Sequence, residues 1–340
     1  MIRVAMVSFW HVHARDYTRQ ALEHPDVEIV AAWDEEPERG RAQANKLGIP
    51  FYDTLDELLA QSTIDGVIVD TPTNIHHDVM IAAANAGKHI FTEKVIAPTL
   101  HECDEILSAI ERAGVKLTVS LPRLNAGYTQ AIQDILANKL LGTLTQVRVR
   151  VSHNGAIPTQ ENPQGWLPPH FFNLEQCAGG VLIDFGCHPM YLTRLFLGLP
   201  ESVSASFGYI TGREVEDNAV VTLRYPNGQL GIVEAGFVNR FSPFTIEVHG
   251  TEGSLLYGTP ENKLLIRTAQ SGIPGDDAWH EISTIPTDRP SDFEQWVTHI
   301  QEGTTATENI QIARELTMLM EAANLSARTD RPVSLHAQAQ

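Results

Sequence analysis

Three side chains carry the most readable chemistry. Lys94, in the stretch KHIFTEKV, follows a short apolar run, where an ammonium can hydrogen-bond a hydroxyl and help remove its proton. Asp184 and His188, in GGVLIDFGCHPMYLTRLFLG, are spaced i and i+4, so a helix through them presents both on one face. A carboxylate beside an imidazole fixes its tautomer and stabilises the imidazolium after proton uptake, which is how a general base works. The blander readings are a solvated surface lysine and a buried helix with a satisfied His–Asp pair. Gly179, Gly180 and Gly186 then serve close backbone packing.

These groups need a scaffold. Short apolar runs at 2–7, 27–33, 66–69, 89–91 and 115–119 alternate with helical spacing at 14–22, 37–47, 76–86 and 100–113, and Gly48, Gly87 and Gly114 close several of the helices. This alternation predicts a doubly wound α/β domain with a parallel sheet over residues 1–121. After Pro122 the pattern changes. A helix at 128–141 ending at Gly142, alternation in TQVRVRVSH, and hairpins around 226–228 and 250–253 predict an α+β domain on an antiparallel sheet over 122–340. Helices at about 293–301 and 308–327 finish it.

In an open parallel sheet, ligands bind beyond the carboxyl ends of the strands, and a consistent polar set stands there: Ser8 to His13, Asp34, Asp70 to Asn74, Glu93 and Lys94. Asp34 is placed to accept hydrogen bonds from the ribose hydroxyls of a dinucleotide. Glu35 and Glu36 beside it would repel a 2′-phosphate, so NAD is expected rather than NADP. An acidic residue opening the next helix is the competing reading.

Composition narrows the partners. In 340 residues, 24 basic against 42 acidic side chains give a net charge of −18, which disfavours nucleic acid and anionic membranes and leaves a neutral small molecule as the easier substrate. Cys103, Cys177 and Cys187 form no CxxC pair, no secretory leader is evident, and no window approaches about 18 uninterrupted apolar residues, so a cytoplasmic protein is expected.

Taken together, TPTNIHHDVMIAAANAGKHIFTEKV, GGVLIDFGCH, EVHGTEGSL and SARTDRPVSL resemble, in order and spacing, the motifs of the Gfo/Idh/MocA oxidoreductases, the family of glucose-fructose oxidoreductase and inositol dehydrogenase. The resemblance implies a Rossmann domain binding NAD and a second domain whose large open sheet makes homodimers or homotetramers. It places Lys94 at the family's EKP lysine and Asp184 and His188 at its DxGxH pair. His188, oriented by Asp184, would take the proton of a sugar, polyol or cyclitol hydroxyl while Lys94 holds that oxygen. Thr71, Pro72, Asn74, His76 and Glu93 map to the cofactor's surroundings, and Arg123 to a substrate position; Asn125, His153, Asn154, Trp166 and His170 are further pocket candidates. Val95 departs from the proline of EKP, and Tyr191 stands where an acidic residue commonly follows the histidine.

The third departure is VSFWHVHARDY, where Ser8, Trp10 and His13 occupy the three small-residue positions of the dinucleotide fingerprint. A remodelled NAD loop is expected, with Ser8, Phe9, Trp10, His11 and His13 around the cofactor and hydroxyl or imidazole donors reaching phosphate. No metal is expected, since the path of the loop, and with it the geometry of His11 and His13, is undefined by sequence. Competing functions are a redox-neutral glycoside-cleaving or epimerising enzyme that uses NAD transiently, and a non-catalytic dinucleotide-binding regulator.

Overall fold

A computed structural model describes residues 1–258, 261–270 and 278–335. The chain divides into two compact units. The first comprises residues 1–121 and 290–317, the second 122–289 and 318–340. The expectation placed all of 122–340 in one domain; residues 290–317 instead cluster with the first unit.

In the first unit, β1 (Ile2–Val7), β2 (Val27–Trp33), β3 (Gly66–Val69), β4 (His89–Thr92) and β5 (Leu117–Val119) form, among the described residues, a parallel sheet in the order β2-β1-β3-β4-β5. Their connections are α1 (Ala14–Glu23), α2 (Pro37–Leu47), α3 (Leu55–Leu59), α4 (His76–Asn85) and α5 (Leu100–Ala113). Both strand and helix positions agree with the sequence expectation to within a residue or two, except for α3, which was not anticipated, and for the run at 115–119, which is strand from Leu117. The local signals are legible: Thr54 with Glu57, and Thr99 with Glu102, form reciprocal capping boxes that start α3 and α5.

The strand order reverses direction at β1 and β3, which places the loops after β1, β3 and β4 at the switch point where such sheets bind ligands. The core of this unit gathers Met6, Ile29, Ile68 and Phe91, and α10 (Asp292–Glu302) closes it with Phe293, Trp296 and Val297. Trp296 is fully buried, and Gly66 is required beneath it: a β-carbon there would lie 3.0 Å from both the indole and the His89 carbonyl.

The second unit is built on β6 (Leu144–Ser152), β7 (Ser202–Gly208), β8 (Asn218–Arg224), β9 (Leu230–Gly236), β10 (Thr245–Gly250), β11 (Gly253–Tyr257), β12 (Leu264–Thr268), β13 (His280–Glu281) and β14 (Val333–Ser334). Their order is β13-β12-β11-β10-β6-β9-β8-β7-β14, and all pairings are antiparallel except β6 with β9. Its helices are α6 (Gly127–Ala137), α7 (Leu174–Cys177), α8 (Val181–Asp184) and α9 (Cys187–Leu197). The last helix, α11 (Thr307–Thr329), is shared by the two units at Thr317 and Met318. Helix α9 lies against β6 and β9, and α8 against β8 and β9, so helices cover the face bearing Val147, Val149, Val221 and Val233. Alternate residues such as Arg148, Val220 and Glu234 point to the other face.

Candidate active site

The β1–α1 loop takes a path that answers the missing glycines. Ser8 adopts φ 75°, the left-handed conformation that a fingerprint glycine would supply, and its Oγ accepts the Trp10 N–H at 3.1 Å. The loop is pinned on three sides: Ser8 N–H to Trp33 O at 2.7 Å, Phe9 N–H to Asp34 Oδ2 at 2.9 Å, and His11 N–H to Asp70 O at 3.2 Å. Trp10 is 5% exposed, so its indole is packed against protein on nearly every side.

Asp34 is indeed at the end of β2 and buried, but its oxygens are heavily engaged. Oδ2 accepts from Phe9 N–H and from Arg39 Nε at 3.0 Å, and Oδ1 from Glu36 N–H at 2.7 Å and Arg39 Nη2 at 2.6 Å. A carboxylate has about four acceptor sites, so ribose hydroxyls must compete with Arg39, a residue the sequence reading did not single out.

Past β3 and β4 lies a buried polar cluster. Glu93 Oε1 receives the Tyr17 hydroxyl and His13 Nδ1 at 2.7 Å, with His11 Nδ1 at 3.5 Å; Oε2 accepts the Lys94 N–H at 3.0 Å and lies 3.9 Å from Lys94 Nζ. Burial alone would push the Glu93 carboxyl up, but His11, His13 and Lys94 together hold it well below the usual range. With its one proton on Glu93, the Tyr17 oxygen accepts the Ser120 hydroxyl at 2.7 Å. Asp70 is fully buried with neither carboxylate oxygen hydrogen-bonded; burial and then the Glu93 charge raise it well above the ordinary carboxylate range. Thr71 Oγ1 is likewise buried without a partner, while Asn74 is exposed.

His76 has a positioning role. Its Nδ1 faces the carbonyls of Val95 and Ile96 at 3.0 and 3.1 Å and its Nε2 the Thr71 carbonyl at 3.0 Å, which ties the loop after β3 to the loop after β4; burial lowers its pKa. Lys94 is 6% exposed, which discards the solvated-surface reading, and the Lys94–Val95 peptide is cis.

In the second unit Asp184 and His188 do not share one helix. Asp184 ends α8, Phe185 and Gly186 form a break, and His188 lies in the first turn of α9, so the expected i, i+4 helix face is interrupted. At the break the Gly186 N–H reaches back five residues to the Val181 carbonyl at 2.8 Å, and a β-carbon on Gly186 would sit 2.8 Å from the Leu182 carbonyl; at the other end of α8, Glu216 Oε1 accepts the Leu182 N–H at 2.9 Å. His188 Nδ1 meets Tyr191 Oη at 3.0 Å, and the same oxygen accepts the Arg123 N–H at 3.1 Å. Arg123 Nη1 donates to Tyr128 Oη at 3.2 Å and its guanidinium lies 4.0 Å over the Phe244 ring. The signal for Tyr191 was the i, i+3 spacing after His188.

The remaining pocket candidates divide. His153 stacks on Phe237 at 4.9 Å, with Phe185 and Trp166 each 4.7 Å away, and burial lowers its pKa while Asp184 opposes this. Trp166 is 53% exposed and donates to Asn154 Oδ1 at 3.3 Å, which makes an aromatic wall with a polar edge. Asn125 is buried and its carbonyl accepts from Arg289 and Gln130, a loop-holding role; His170 lies in a single 3₁₀ turn, 169–172.

Comparison with known proteins agrees with this architecture. Residues 2–121 match the oxidoreductase family with an NAD-binding Rossmann fold, and residues 129–256 the GFO/IDH/MocA C-terminal domain. The chain is 31% identical over 247 residues to 1,5-anhydro-D-fructose reductase of Ensifer adhaerens, covering 72% of each chain. It is 30% identical to scyllo-inositol 2-dehydrogenase (NAD(+)) of Bacillus subtilis, over 69% of this chain and 67% of that one. Among solved structures, levoglucosan dehydrogenase in complex with NADH and levoglucosan superposes with a TM-score of 0.80 at 19% identity, over 98% of this chain and 99% of that one. With its Rossmann unit, its open mixed sheet and its ordered motifs, the chain belongs to the Gfo/Idh/MocA family of NAD-binding oxidoreductases.

Proposed function

We propose that the protein is an NAD-dependent dehydrogenase acting on a secondary hydroxyl of a neutral sugar, polyol or cyclitol, the CH–OH class named for its relatives. The observation that carries this reading is a desolvated lysine, Lys94, held beside Glu93 at the carboxyl end of the parallel sheet of an NAD-binding domain. An ammonium so placed has no solvent to hold it and is suited to a substrate oxygen.

The residues at the strand ends fit a dinucleotide. Ser8 keeps a glycine-like backbone where the pyrophosphate must approach, the N-terminus of α1 follows it, Asp34 ends β2, and the unpartnered Thr71 hydroxyl and Asp70 carboxyl line the switch point. Bound NAD supplies the hydride acceptor.

His188 takes the hydroxyl proton at Nε2. For that, its Nδ1–H donates to Tyr191 Oη, which has acceptor capacity for both this bond and the Arg123 N–H. Tyr191 is therefore a positioning residue for the ring, beside Asp184, to which the DxGxH motif assigns the same part. Lys94 holds the substrate oxygen as it loses its proton. The His153, Phe185, Trp166 and Phe237 group offers ring faces to the carbon side of a sugar. The face of the second unit's sheet that carries Arg148, Val220 and Glu234 is assigned to self-association as a dimer or tetramer.

The test is a panel of neutral sugars, polyols and cyclitols with NAD, read by NADH absorbance. A substrate giving net NADH, with turnover lost in Lys94→Ala and His188→Ala at retained NAD affinity, is the expected result. Failure of the purified protein to bind NAD(H) by calorimetry, or turnover without any net NADH, would sink the reading.

A further inference from the structure

The loop that replaces the glycine fingerprint brings together groups that a nucleotide alone does not explain. His11 and His13 converge on Glu93: one donor atom from each of the three lies within 4.8 Å of the others. His13 Nδ1 is 2.7 Å and His11 Nδ1 3.5 Å from Glu93 Oε1. Donors bound to one cation at about 2.0–2.2 Å are themselves roughly 3 to 3.5 Å apart, so a modest rearrangement of these three hydrogen-bonded side chains would bring their donor atoms to the spacing of a coordination sphere.

We propose that His11, His13 and Glu93 form a binding site for a divalent transition-metal cation of the zinc class, which fastens the β1–α1 loop to the end of β4. Two imidazoles and one carboxylate are a ligand set suited to such ions and poor for magnesium or calcium, which take oxygen donors. The set is oriented from behind as metal ligands are: the Tyr17 hydroxyl and the Lys94 N–H hold Glu93, and Ser120 Oγ lies 2.7 Å from the Tyr17 oxygen.

A further observation bears on the site. Asp70, on the neighbouring strand end, is fully buried with both oxygens unpartnered, a polar group that a bound donor or cation would satisfy. His11 Nδ1 accepts the His13 backbone N–H at 3.2 Å, and coordination through Nδ1 would exchange that bond for a metal bond. With one ligand side chain 40% exposed, at His13, the site has an entry path.

The proposal does not rest on the dehydrogenase reading and is read on protein without NAD or substrate. Full-length protein, stripped with a chelator and dialysed, is titrated with Zn²⁺ by calorimetry and with Co²⁺ by visible absorption, which reports ligand type. One saturable equivalent is expected, with binding at least about 100-fold weaker in His13→Ala, about 10- to 100-fold weaker in Tyr17→Phe, and unchanged in His77→Ala, a surface histidine flanked by Asp78 and Glu105. If His13→Ala does not fold, histidine ring NMR of the unaltered protein decides the matter, since zinc must then shift two buried-loop imidazoles. Absence of saturable binding, or binding lost in His77→Ala and retained in His13→Ala, overturns the proposal.

Discussion

At the scale of single residues, Tyr191 and Glu216 show what burial does to polar groups. Tyr191 Oη serves both His188 and Arg123 in a fully buried setting, so removing it orphans two groups at once. Tyr191→Phe should cost about 1–3 kcal/mol for each unpaired group in urea denaturation. It should also lower kcat about tenfold, while NAD affinity by calorimetry stays unchanged because its hydrogen-bond partners His188 and Arg123 belong to the second unit. Equal stability and rate in the variant would remove Tyr191 from the positioning role. Glu216 supplies a pH prediction. Burial, and then the Asp217 charge against several backbone hydrogen bonds, raises its pKa to about 7. A carboxyl raised on folding keeps its full contribution below its unfolded pKa of about 4.3 and becomes a cost as pH rises through 7. Global stability should therefore decline between about pH 5 and 8 by up to about 3 kcal/mol. Glu216→Gln should flatten that limb, and an unchanged slope in the variant would assign it to another group.

At the scale of elements, the β2–α2 junction decides how freely Asp34 meets a ribose. Arg39, one turn into α2, binds Asp34 through two nitrogens and reaches Glu35 and Glu36 as well. Such a bidentate pair is strong and planar, so a dinucleotide pays to break it or uses Asp34's remaining lone-pair directions. Arg39→Ala should tighten NAD binding about tenfold and weaken any NADP binding, measured side by side by fluorescence; weaker NAD binding would show that Arg39 itself contacts the cofactor. This junction also marks the limit of what is legible in the sequence. The strands β1 to β5 and their helices could be read because apolar runs and glycine stops are local signals. Lys94 and His188 could be placed because their motifs are local too. Arg39 on Asp34, Tyr17 and His13 on Glu93, and Tyr191 on His188 arise from side chains that meet only once loops take a specific path, and the sequence gives no period for that. The break between Asp184 and His188 escapes the spacing because it turns on Gly186, whose N–H bonds the Val181 carbonyl and which packs directly on Leu182. The return of α10 to the first unit was hidden because an amphipathic helix carries no mark of which sheet it will cover, although its Trp296 and Phe293 complete the core around Phe91.

At the scale of the whole molecule, the second unit's sheet, of nine strands among the described residues, is unequal on its two faces. Helices α8 and α9 cover one face, while the other carries an alternation of apolar and paired charged groups: Val220, 45% exposed on β8, and Arg148 bound to Glu234 at 2.8 and 3.0 Å across β6 and β9. A face of this kind matches an interface between copies, which is apolar at its centre yet keeps its charges paired, and a twofold axis would set the same strands against each other. The overall charge of −18 argues that the contact must be specific, because like-charged copies repel at long range and only a well-packed patch overcomes this. Val220→Lys places an ammonium on that patch without touching the covered face, where Ala219 and Val221 stay buried. The unaltered protein should run as a dimer or tetramer in light scattering across a dilution series, and the variant as a monomer with unchanged far-ultraviolet circular dichroism. A stronger shift to monomer at low salt than at high salt would trace the residual repulsion to net charge, since exposed charges more than about 10 Å apart are screened at 0.1 M ionic strength. A monomeric parent protein, or a variant that keeps its assembly, would move self-association to another surface.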